Sequence, residues 1–137
     1  MTSISVTEMQ SHPLILDPLT GMYSRALFDA RLQEEILRAR RYESACTLCV
    51  FDIDHFKSIN DAYGHLRGDE ILRDFAHELQ KLVRGSDVLF RYGGDEFVLL
   101  LPETHTEQAV VVCDRIFEHL RCTIFPVSYT HLTLPTN

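Results

Sequence analysis

A chain of 137 residues is long enough for one domain with a real core and too short for two. It is 45% hydrophobic and 24% charged, an ordinary soluble globular composition, and no apolar run approaches the roughly 18 residues that span a bilayer. The formal charge of −7 argues against a nucleic-acid-binding surface, which needs a basic footprint, but leaves a nucleotide substrate open because a cation can mediate between acids and phosphates.

In chain order, residues 1–15 show no useful period and read as a linker stub, with an upstream domain expected before it. From Ser24 to about Arg41, Leu27, Phe28, Leu32, Ile36 and Leu37 form a helical stripe. Ser44 to Ile53 reads as a strand, apolar on both faces and therefore central. It carries Cys46 and Cys49. Their spacing can signal zinc or redox chemistry, but residues three apart on a strand face opposite sides and no second pair follows. They read as small core residues of a reduced, cytoplasmic protein, consistent with an N-terminus that lacks a secretory pattern. A membrane anchor elsewhere in a longer protein stays open.

A short helix is expected from Phe56 to Ala62, broken at Gly64. Asp69 to Val83 is the clearest helix, with Ile71, Leu72, Phe75, Leu79, Leu82 and Val83 on one side and Gly85 as its C-terminal stop. Val88 to Tyr92 and Glu96 to Leu101 read as strands joined through Gly93-Gly94-Asp95, glycines that could supply positive φ to a tight turn. Thr104 to Glu107 has the form of a capping box and opens a helix carrying Ala109, Val112, Cys113, Ile116, Phe117 and Leu120. Helix, strand, helix, hairpin, helix is the order expected of helices packed on a mixed sheet. Another strand is due after Cys122, starting at Thr123 to Phe125.

The chain then ends PVSYTHLTLPTN. Val127 to Thr136 resembles the conceptual translation of a transposon-derived sequencing-library adapter, so residues 127–137 are expected to be a non-native tail, with the natural sequence continuing beyond Pro126. On that expectation the domain occupies 16–126, is incomplete, and its sheet lacks a strand.

Two acidic clusters stand out. FDIDHFKSINDAYGHLRGDE, Phe51 to Glu70, puts Asp52 and Asp54 at the end of a buried strand; RYGGDEFVLL, Arg91 to Leu100, puts Asp95 and Glu96 at a hairpin tip. If the strands are neighbours, the acids meet. Two carboxylates about 4 Å apart repel by about 4 kcal/mol at an effective dielectric of 20, so a cation belongs between them. Hard oxygen ligands that leave room for water and phosphate suit Mg²⁺, with Mn²⁺ as the alternative, better than zinc.

Gly93-Gly94-Asp95-Glu96-Phe97 is the signature of the GGDEF family, the diguanylate cyclases. FDIDHFKSINDAYGHLRGDEIL resembles that family's second hallmark, and LDPLTGMYSRALF, Leu16 to Phe28, resembles its N-terminal D-x-L-T-G-L-x-N-R pattern with departures at Met22 and Ser24. The resemblance covers about Leu16 to Phe125. It implies an α/β (α+β) fold like the palm of nucleotide cyclases and polymerases, a ferredoxin-type sheet flanked by helices with its C-terminal part missing here. It also implies a homodimer that condenses two GTP into cyclic di-GMP and two pyrophosphates.

Carried over by position, the resemblance makes Asp52, the carbonyl of Ile53, Asp95 and Glu96 metal ligands. Asp95 and Glu96 are also the catalytic acids, Asp95 being the one that receives the hydroxyl proton. Gly93 and Gly94 let backbone approach the phosphates, Phe56 and Lys57 supply main-chain phosphate contacts, Asn60 and Asp69 read guanine, and His65 lies near the nucleotide. Asp54 reads instead as a cap for the following helix. His65 read alone is a surface turn residue, and both readings stay open.

Arg84-Gly85-Ser86-Asp87 has an R-x-x-D form placed where many diguanylate cyclases carry a product-inhibition site; the plainer alternative is a helix-end Arg beside a turn Asp. Family members also carry a basic K-x-x-G-R stretch near their C-terminus, and nothing after Pro126 resembles it, so this chain alone is expected to be weak or inactive. The alternatives to an active cyclase are a non-catalytic cyclic di-GMP receptor and a dimerising signalling module.

Overall fold

The computed structural model describes residues 15–122 and 127–134. Most of the linker stub, the strand start expected at Thr123–Phe125 and the last three residues lie outside them. The elements are β1 (Tyr23–Ser24), α1 (Arg25–Arg41), β2 (Cys46–Ile53), α2 (Phe56–Tyr63), α3 (His65–Leu82), β3 (Val88–Arg91), β4 (Glu96–Leu101), α4 (Thr106–Cys122) and β5 (Val127–Leu134). The sheet runs β1-β3-β4-β2-β5, with β1 parallel to β3 and every other pair antiparallel.

Alternation along the strands divides the interior into two cores, one on each sheet face. Cys49, Phe51, Ile53, Leu89, Phe97, Leu99 and Leu101 pack under α3 and α4, which contribute Leu72, Phe75, Leu79, Cys113, Ile116 and Leu120. Cys46, Phe90, Val98 and Leu100 face the other way, toward Phe28 and the half-buried Leu27, Leu32 and Ile36 of α1. Cys46 and Cys49 therefore sit in separate cores, as strand geometry requires. Phe75 and Phe97, both fully buried with ring centroids 4.8 Å apart, tie α3 to β4 behind the acidic turn. Truncating either should cost about 3–5 kcal/mol, the usual penalty for an emptied aromatic site.

Several local expectations need correcting. In α1 Leu37 is exposed, while Glu35 takes the buried place beside Ala39, its carboxylate 2.6 Å from Arg31 and 2.9 Å from Arg38. Helix α3 starts at His65, four residues early, because its first turns bury only Gly68 and show no apolar stripe. It ends at Leu82 with an extended Val83, and Gly85 lies outside the left-handed region. The stop is made by Asp87, which accepts from the Arg84 N–H at 2.9 Å. Thr104 does not form the expected capping box: its N–H binds the Ala45 carbonyl and its hydroxyl donates to the Pro102 carbonyl. The cap before α2 falls to His55, left-handed at φ 58°, rather than to Asp54.

The segment 127–134 pairs antiparallel with β2 along its whole length, Cys46 opposite Leu134 and Ile53 opposite Val127. A strand therefore follows α4 in this sheet, which was expected to lack one. Such pairing uses main-chain groups and asks little of side-chain identity, so it is compatible with either origin of the segment.

Candidate active site

The two acidic segments meet because β2 and β4 are neighbours. Their register sets Asp52 opposite Glu96, and one step further the Ile53 N–H donates to the Asp95 carbonyl at 3.3 Å. Asp52 is exposed on the site's open side, yet its carboxyl is pushed up to about 6. Partial burial is the first cause, followed by a hydrogen bond shared with Asp95 and the negative charges of Asp95, Glu96 and Asp54. A carboxyl raised by burial and by neighbouring acids in this way stands where positive charge is short. Among the described residues no three His, Cys, Asp or Glu side chains form a ready metal cage. The donors present are carboxylates at a strand end with main-chain carbonyls beside them. That set fits a hard divalent cation that takes its remaining ligands from water and phosphate.

The turn carrying Asp95 is fixed from outside the signature. Arg91 reaches the Asp17 carboxylate with distances of 3.1 and 3.2 Å and also donates to the Gly94 carbonyl at 2.9 Å. Asp17 in turn accepts from the Thr20 N–H at 2.8 Å and hydroxyl at 2.7 Å. Burial alone would raise Asp17, but Thr20 and Arg91 together hold it below the usual carboxylate value. Arg25 stacks over Tyr92, 4.4 Å from the ring centroid, on the same turn. Neither Gly93 nor Gly94 has positive φ, contrary to the expected tight-turn geometry. What Gly93 provides is room: a Cβ there would meet Glu96 Oε1 at 2.7 Å, whereas one on Gly94 would meet nothing within 4 Å.

A second group forms where α2 and α3 join. Gly64 ends one helix and precedes the other at φ 89°, folding Asn60 back against Gly68, next to Asp69. Asn60 Oδ1 is buried without a hydrogen-bond partner, which among the described residues is true of no other buried side-chain N or O atom. An orphaned acceptor of this kind is costly unless a ligand supplies a donor. His65 and Lys57 are exposed on the same pair of helices, and Phe56 is half-buried against the core.

The family model for the diguanylate cyclase GGDEF domain matches residues 14–134. The chain belongs to this family. Diguanylate cyclase DgcP of Pseudomonas aeruginosa is 45% identical over 109 residues, covering 80% of this chain and 16% of that protein. The response regulator PleD of Caulobacter vibrioides is 38% identical over 115 residues, covering 84% of this chain and 25% of that protein. The chain thus spans a quarter or less of these two relatives. Among solved structures, the GGDEF domain of DgcB from Caulobacter crescentus, in complex with c-di-GMP, superposes with a TM-score of 0.82 at 27% identity, over 89% of this chain and 78% of that one. The sheet is the palm-like cyclase fold.

In this GGDEF domain Arg84 and Asp87 stand at the other end of β3 from the Gly93–Asp95 turn, so they are not part of the acidic site. Their side chains bind each other, Arg84 Nη2 to Asp87 Oδ1 at 3.0 Å, with the Arg84 side chain 57% exposed and that of Asp87 fully covered. Asp87 lines a groove of about 740 Å³ together with Tyr23, Arg31, Arg38 and Val88. Sequence reasoning missed Asp17, Arg91, Arg31 and Arg38. Asp17 and Arg91 both lie in quoted motifs, but a pair 74 positions apart leaves no spacing signal. No helix among the described residues is long and apolar enough to cross a membrane.

Proposed function

We propose that this domain condenses two GTP molecules into cyclic di-GMP. The observation that supports this most is the meeting of Asp52, Asp95 and Glu96 at one strand end, with Asp52 raised by partial burial and then by its neighbours. Asp52, Asp95, Glu96 and the Ile53 carbonyl would hold Mg²⁺, or Mn²⁺, which when bound neutralises triphosphate charge and makes a hydroxyl easier to deprotonate. Asn60 and Asp69 hold the guanine: Asp69 accepts from its N1 and N2 hydrogens, a pattern adenine lacks, and the orphaned Asn60 oxygen accepts one donor more. The Gly93-Gly94 backbone and the main chain at Phe56 and Lys57 lie against the phosphates, and His65 lies near the nucleotide.

Each 3′-oxygen attacks the α-phosphorus of the other nucleotide. An O3′–Pα bond forms, the Pα–O–Pβ bond breaks, pyrophosphate leaves, and the hydroxyl proton passes to Asp95. Two such transfers need two sites facing each other, hence a homodimer. Control would come from an upstream sensory domain and from product bound at Arg84 and Asp87, with Asp87 lining a roomy groove.

The deciding experiment incubates the protein with GTP and Mg²⁺ and measures cyclic di-GMP and pyrophosphate. Product that disappears in Asp95→Asn supports the proposal, and product undiminished in that variant overturns it. Binding of added cyclic di-GMP without any turnover would favour the receptor reading.

A further inference from the structure

We infer that Gly68 is a positioning residue for guanine selection, keeping open the slot in which Asn60 presents its carboxamide oxygen. The inference rests on the proposal that Asn60 contacts guanine, and goes beyond it by assigning a role to a residue that touches no ligand. A Cβ at position 68 would overlap Asn60 Oδ1, lie 2.9 Å from Asn60 Cγ, and press on Phe56 Cζ at 3.2 Å. The overlapped oxygen is the same atom that is buried without a partner. Two independent features, the missing side chain and the orphaned acceptor, therefore converge on one point.

The geometry separates this role from general packing. No backbone lies among the three nearest obstacles, so α2 and α3 need not part. The Asn60 carboxamide is the mobile end of its side chain and can swing away, while the Phe56 ring must give only by a few tenths of an ångström. Gly68 is helical, not left-handed, and alanine in a helix interior is favoured over glycine by up to about 1 kcal/mol. Gly68→Ala should therefore fold, with Asn60 turned off its station. The glycine's absent methyl matters to the base, not to the helix.

The test is binding of 3′-deoxyguanosine triphosphate with Mg²⁺, which lacks the attacking hydroxyl and cannot be condensed. It is titrated into the unmodified protein, Gly68→Ala, Asn60→Ala and the double variant, with melting temperatures for all four. The expected result is affinity about tenfold lower in each single variant, the loss of one hydrogen bond to a buried acceptor, and a double variant no weaker than Asn60→Ala. Gly68→Ala should melt within a few degrees of the parent. Parent-like binding by Gly68→Ala beside impaired Asn60→Ala would overturn the inference and leave the guanine site standing, as would additive losses in the double variant. Parent-like binding by Asn60→Ala would instead sink the guanine reading itself. If Gly68→Ala fails to fold, the double variant, which removes the overlapped atom, must fold; if it does not, the overlap with Asn60 is not the cause and the inference falls.

Discussion

Arg91 and Asp17, 74 positions apart in the chain, form an ion pair beside the acidic turn, and the same guanidinium holds the Gly94 carbonyl. The pair is largely shielded, with side chains 18% and 16% exposed, so its loss should be felt both in stability and at Asp95. Arg91→Ala and Asp17→Asn should each cost about 1–3 kcal/mol, between exposed and fully buried pairs, and each should lower cyclic di-GMP formation. Because both act through one contact, the double variant should lose little more than the worse single one, which a double-mutant cycle in Tm and turnover measures.

Acid should undo this contact. Asp17 is held below its ordinary value of 3.8, so it binds fewer protons folded than unfolded. Its contribution is complete above that value and is lost as pH falls through the lower folded one. Melting curves from pH 7 to pH 3 should show the parent losing this increment only below about pH 4, and Asp17→Asn should lack it.

Asp52 works in the opposite sense. Raised to about 6, it binds more protons folded than unfolded between pH 4 and 6, so the metal-free chain should gain stability as pH falls from 7 to 5. Asp52→Asn should therefore raise the melting temperature at pH 7.5 by roughly 2–5 °C, a modest shift because the group is exposed, while abolishing turnover. Added Mg²⁺ should stabilise the parent more at pH 7.5 than at pH 5.5, since protons compete for the same oxygens. A pH-independent melting point would contradict the crowding of these carboxylates.

How much of this was legible beforehand depended on the range of each interaction. The apolar residues on both faces of CTLCVFDI, Cys46 to Ile53, identified a central strand, and the acids at the two strand ends could be paired once a neighbour relation was assumed. The R-x-x-D turn was visible because it is local. Helix boundaries failed where burial gives no stripe, as at His65, and the capping box failed because Thr104 is claimed by tertiary partners at Ala45 and Pro102. Buried Glu35 was invisible since its two arginine partners look, in sequence, like any charged helix face. The Asn60–Gly68 contact depends on how sharply Gly64 turns one helix into the next, which composition does not specify.

The two turn glycines should separate in their behaviour. Gly93→Ala would place a methyl 2.7 Å from Glu96 Oε1, so Glu96 must move, and both turnover and Mg²⁺-dependent stabilisation should fall. Gly94→Ala meets nothing and should melt within about 2 °C of the parent, as unhindered surface substitutions do. If phosphates lie against this backbone, Gly94→Ala should still raise the KM for GTP several-fold. An unchanged KM would place the phosphates elsewhere.

At the far end of β3, Arg84 and Asp87 should also differ. Arg84 is more than half exposed and its removal should cost less than about 1 kcal/mol. Asp87 has no exposed side-chain surface and accepts from the Arg84 N–H, Nε and Nη2, so its removal leaves the turn after α3 without its stop and should cost about 1–2 kcal/mol. Arg84→Ala is thus the cleaner probe of product inhibition. Initial turnover should match the parent, because the residue stands a strand's length from the acids, while added cyclic di-GMP should no longer slow the reaction. Inhibition that persists unchanged in Arg84→Ala would leave this turn with a purely structural role, its arginine and aspartate doing no more than closing the helix onto the hairpin.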